Sequence, residues 1–110
     1  MVPYEAFESL EIRVGRILRA EPNPRTRKPA YKLWIDFGAE LGTHTSSAQI
    51  TELYSPESLI SRQVICAMNL GTRNIAGFES QVLTLGVNDP EGRVVLLQPE
   101  REVSPGERIY

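Results

Sequence analysis

Apolar and polar residues alternate along this chain in short runs, the pattern of strands that bury one face. In Lys32-Leu33-Trp34-Ile35-Asp36-Phe37 the alternation sends Leu33, Ile35 and Phe37 to one face and Lys32, Trp34 and Asp36 to the other. Glu11 to Leu18 alternates in the same way until Gly15, where the register slips; a glycine at a slip predicts a bulge or a sharply curved strand. His44 to Ile50 predicts a third strand, rich in hydroxyls, and Gln63 to Leu70 and Gln81 to Val87 predict two more. Tyr4 to Leu10, with Phe7 and Leu10 three residues apart, predicts one or two helical turns that cap an opening of the sheet. A second short helix is announced by Ser55 as N-cap, Pro56 at the first helical position and Glu57 in the first turn, and it ends near Arg62.

Five strands with a short helix between the third and fourth predict an all-β fold, a five-stranded OB-fold barrel. Such barrels bind extended ligands across strands 2 and 3 and the adjoining loops. The tail adds C-terminal strand structure at Val94-Val95-Leu96-Leu97, whose unbroken apolar run predicts burial on both faces and therefore a contact within a homodimer. No repeat, linker or low-complexity segment interrupts the chain, so one domain is expected over residues 1–110.

A composition of 41% hydrophobic and 24% charged residues fits an ordered globular domain. The single cysteine, Cys66, excludes an internal disulfide and lies in the apolar run Val64 to Met68, where a core thiol is expected. With no apolar run long enough to span a bilayer and no secretory signal at the start, a cytoplasmic location is expected. The net charge of −2 argues against indiscriminate nucleic-acid binding, yet the charges are unevenly spread. Between Arg13 and Lys32 stand seven basic residues (Arg13, Arg16, Arg19, Arg25, Arg27, Lys28 and Lys32) against one acid, Glu21. Pro22 to Pro29 thus reads either as a local attractor of anions or as a solvated charged loop.

Catalysis finds no support. Ser46 and His44 share a strand face with no acid to orient the imidazole and no nucleophile elbow, and one histidine with one cysteine does not make a metal-ligand set. No nucleotide motif is present, so neither a cofactor nor ATP is expected. A binding surface is the better reading. Trp34, Ser46, Ser47 and Gln49 fall on or near the ligand-binding face, with Trp34 either offered to a ligand or covered by a neighbouring loop or partner. Arg73 is the only charge between Arg62 and Glu79 and sits in the connection before the fifth strand, where its guanidinium can meet a phosphate, a carboxylate or a carbonyl. Asn69, polar at the end of an apolar strand, must find partners or face a pocket. Phe78 is either a plug of the barrel or a wall of the pocket.

The phrases Ile12-Arg13-Val14-Gly15, Lys32 to Gly38, Ser46-Ser47-Ala48-Gln49-Ile50, Ile75 to Ser80 and Val94 to Pro99 resemble the CsaA secretion chaperones, nearly over the full length and in order. That family is a branch of the tRNA-binding OB domains, whose pattern corresponds here to Asn69-Leu70, Arg73, Gly77 and Ser80, with Gly71-Thr72, Asn74 and Ala76 departing from its basic loop. The resemblance implies a homodimeric, export-related chaperone for unfolded or presecretory polypeptides, with the protein-export machinery and, weakly, tRNA as further partners. It implies a peptide groove of Trp34, Ser46, Ser47, Gln49, Asn69, Arg73 and Phe78. RNA contacts would fall to Arg25, Arg27, Lys28, Lys32, Arg73 and Ser80.

Overall fold

A computed structural model describes residues 1–110. The alternation read at Leu33, Ile35 and Phe37 builds its centre: all three are buried, and with Ile17, Tyr31, Val64, Cys66 and others they form one hydrophobic core. The elements in chain order are α1 (Tyr4–Ser9), β1 (Ile12–Pro22), β2 (Tyr31–Asp36), β3 (Thr43–Ala48), α2 (Pro56–Leu59), β4 (Gln63–Ala67), β5 (Arg73–Ile75), β6 (Phe78–Ser80), β7 (Leu83–Thr84), β8 (Gly86–Asn88) and β9 (Val94–Leu96). The main sheet has the order β3-β2-β1-β4-β7, and its edges approach each other. The N–H groups of Gln81 and Val82 donate to the Thr45 carbonyl at 2.8 and 3.1 Å, and the Ser47 N–H donates to Ser80 Oγ at 2.9 Å. The sheet so becomes a nearly closed five-stranded OB-fold barrel.

The register slip in β1 is not at Gly15. It falls between Ile17 and Arg19, so that Leu18 is the extra residue, left exposed. Gly15 serves packing instead: a Cβ there would stand 2.5 Å from Ile35 Cγ2 and 2.6 Å from Phe37 Cε1, so only glycine lets β1 lie this close to the core. The first helix buries none of its residues within the chain. The second keeps its expected start, with Ser55 and Ser58 in a reciprocal capping box, and seals the core with Leu59.

The connection from Gly71 to Ser80 hides a hairpin, β5 paired with β6, closed by Ala76 (φ 50°) and Gly77 (φ 84°). Two consecutive left-handed residues are the requirement of the tight hairpin turn, and alanine in the first place conceals the usual signal. The fifth strand expected over Gln81 to Val87 is divided into β7 and β8. β8 pairs with β9, whose Leu96 joins the core and whose Leu97 neighbour is exposed. The Val94 to Leu97 run is therefore buried on one face within the chain, not on two.

Candidate functional site

The loop after β1 is shaped by Asn23, a buried residue that sequence reasoning passed over. Its N–H donates to the Ala30 carbonyl at 3.0 Å, its Oδ1 accepts the Arg25 N–H at 3.0 Å, and its carbonyl accepts from Thr26 Oγ1 at 3.1 Å. An asparagine that bonds its own backbone two residues on makes such a turn self-supporting. The loop so held folds toward the β5–β6 hairpin. Gly77 makes room for it: a Cβ at that position would collide with the Arg25 guanidinium. The hairpin is braced from within by Asn74, whose Oδ1 accepts the Gly77 N–H at 2.9 Å.

Loop, hairpin and the end of β3 enclose an open cleft of about 800 Å³. Arg25, Arg27 and Lys28 reach it from the loop and Arg73 from the hairpin, and no acidic residue lines it. Polar contacts come from Ser47, Gln49 and Asn74, while Ala48, Ile75, Leu83 and Val94 supply apolar surface over a floor of the buried Ile50 and Leu96. No aromatic ring is among the lining residues. None of the four cations has an ion pair, whereas Arg13, Arg16, Arg19 and Lys32 are all paired with glutamates. Unpaired guanidinium and ammonium groups gathered without a carboxylate make a locally positive, ligand-accepting surface.

Of the residues expected in a groove, the structure brings Ser47, Gln49 and Arg73 to the cleft, together with Arg25, Arg27 and Lys28. The others go elsewhere. Ser46 is fully buried and its Oγ accepts from Thr84 Oγ1 at 2.8 Å, tying β3 to β7 inside the barrel. Asn69 staples the N-terminal helix, accepting the Glu11 N–H and donating to the Ser9 carbonyl, both at 2.8 Å. Ser80 receives the Ser47 N–H on the barrel seam. Phe78 is neither plug nor cleft wall: it meets Trp34 edge-on at 5.4 Å outside the core. Trp34 is covered on its other side by Arg19, 4.4 Å from the ring centroid, and Lys32 stands 5.8 Å from the Phe78 ring. Beside them, Glu21 accepts from Arg19, and the hydrogen bond from that guanidinium holds its carboxyl below the usual range.

Two further groups are accounted for structurally. His44 places Nε2 2.9 Å from the Leu41 carbonyl and its ring against Phe37. Burial pushes the Cys66 thiol up to about 12, so it is protonated and inert at neutral pH. No group of three or more His, Cys, Asp or Glu is placed to hold a metal ion, and no helix is long and apolar enough to cross a membrane.

Residues 12–108 match the family described as Putative tRNA binding domain. Among solved structures, the chaperone CsaA of Bacillus anthracis is 45% identical with a TM-score of 0.93, covering 100% of this chain and 99% of its own. The CsaA chaperone protein of Picrophilus torridus is 41% identical with a TM-score of 0.94, and the coverage is 100% of both chains. Among curated proteins, the methionine–tRNA ligase of Archaeoglobus fulgidus is 39% identical over 98% of this chain. The chain spans 16% of that ligase's length, and the same share of the 36% identical ligase of Methanococcoides burtonii.

Proposed function

The chain belongs to the tRNA-binding domain family, with CsaA chaperones among its similar structures, and from that premise we propose that it is an export-related chaperone that captures unfolded or presecretory polypeptide in the cleft. The observation that carries this reading is the lining itself. Aliphatic side chains, two amides and a serine offer a surface for apolar side chains and for peptide groups, while the rings on which single-stranded bases would stack are absent. Capture is reversible and involves no chemistry, and with no nucleotide motif in the sequence the cycle runs without ATP.

The working unit is proposed to be a homodimer. All of α1 is exposed, including Tyr4 at 69% and Phe7 at 38%, and a six-residue helix has too little length to hold itself together in water. Apolar residues also remain open at Val87 on β8 and at Leu97, just past β9. Pairing of two chains would cover such surface and set two clefts on one particle, which raises avidity for a long client. Sedimentation at micromolar concentration should give a dimer; a monomer excludes this arrangement.

A second reading, tRNA binding, is favoured by one observation: four unpaired cations converge where the hairpin alone offers only Arg73. The loop makes up for basic residues that Gly71-Thr72, Asn74 and Ala76 do not provide. Titration of labelled presecretory peptides and of tRNA across salt concentrations separates the two. Under the chaperone reading, peptides bind at physiological salt and tRNA binding fades with a log–log slope of roughly −3 to −4, as four phosphate contacts require. Tight, tRNA-selective binding at that salt with no peptide bound would replace it with the second reading.

A further inference from the structure

Charge in the cleft is one-sided, and this restricts which polypeptides can enter it. Arg25, Arg27, Lys28 and Arg73 line it without a carboxylate partner, and no acidic residue lies among the other lining positions. A concave surface with one sign of charge and low-dielectric walls concentrates ligands of the opposite sign and repels those of its own. The same surface includes the accessible aliphatic side chains of Ile75, Leu83 and Val94. An extended segment directs alternate side chains to opposite sides, with about 7 Å between neighbours on one side. Apolar residues can then rest on the aliphatic surface while the intervening side chains meet the cations.

We propose that the cleft selects extended segments in which apolar residues alternate with aspartate or glutamate, and that it rejects segments rich in lysine or arginine. This rests on the polypeptide reading given above and adds the class of client. Phosphate chains share the negative charge, but they would leave the aliphatic surface unused and find no ring for their bases.

The test uses the full chain and three fluorescent probes in anisotropy titrations: an apolar peptide with alternating glutamates, the same peptide with lysines in their place, and a tRNA transcript. The glutamate peptide should bind about ten-fold more tightly than the lysine peptide at low salt, with the gap closing as salt rises. The double variant Arg27→Gln, Lys28→Gln, checked for an unchanged melting temperature, should narrow the gap to about two-fold. If both peptides bind equally, or the lysine peptide binds better, the selectivity is wrong while polypeptide capture stands. Binding of tRNA with neither peptide bound overturns both.

Discussion

The basic segment from Arg13 to Lys32 divides into two regions with opposite fates. On strands β1 and β2, Arg13, Arg16, Arg19 and Lys32 each meet a glutamate, and Arg19 also covers the Trp34 ring. On the intervening loop, Arg25, Arg27 and Lys28 meet none and face the cleft. The same residue types serve packing in one place and remain open to a ligand in the other. What separates them is the neighbourhood: Glu11 and Glu21 stand two residues from Arg13 and Arg19, Glu102 reaches Arg16 from the tail and Lys32 lies across from Glu21, while the loop carries no acid of its own. Density of basic residues therefore says less about a binding site than the count of those left without an acid.

The sharpest way to break this division is at Trp34. Trp34→Ala removes the ring between Arg19 and Phe78 and should lower stability by about 2 kcal/mol, read as a shift of the urea midpoint. Peptide affinity should stay within about two-fold, since no direct cleft contact is lost. A large loss of affinity with stability intact would move the site to the outer face.

The mirror-image change is the pair Arg25→Ala and Arg73→Ala. Affinity for an anionic ligand should fall about ten-fold, equivalent to about 1.4 kcal/mol, with little change in melting temperature. A lowered melting temperature with affinity unchanged would show that these cations are structural. A smaller effect is expected from Glu21→Gln, which frees Arg19 and Lys32 from their shared carboxylate. Retention on an anionic resin should rise modestly and become more salt-dependent, as newly unpaired cations join the surface.

The smallest effect is one of pH. Because the Arg19 hydrogen bond lowers the Glu21 pKa below its ordinary value, the folded state favours the carboxylate. The associated stabilisation is complete above the usual carboxylate range and is lost as pH falls through the lowered value. Trp34 fluorescence should report this step below about pH 4.5, the ordinary glutamate value, and nothing between neutrality and that point. A step near neutrality would point to another group.

Much of the barrel could be read from local pattern. Leu33, Ile35 and Phe37 occupy the face their alternation demanded, and Ser55 caps the helix its neighbours announced. Features that depend on remote partners could not. Gly15 marks contact with Ile35 and Phe37 rather than a slip, and Ser46 is drawn inside by Thr84 from far along the chain. The hairpin after Leu70 was hidden because Ala76 takes a conformation that its residue type seldom signals. The site was half legible. Ser47, Gln49 and Arg73 lay on the expected face, but the arrival of the loop cations depends on the buried turn at Asn23 and on the space left by Gly77.

The sole thiol, Cys66, is buried and protonated, which has a practical use at the bench. A native chain that presents no reactive sulfur accepts a single engineered attachment point with no background. Pro24→Cys on the loop and Thr72→Cys beside the hairpin, both exposed and outside the cleft lining, would each carry a spin label or dye selectively at neutral pH. The doubly labelled protein would then report the width across the cleft, empty and filled, without first deleting the native cysteine.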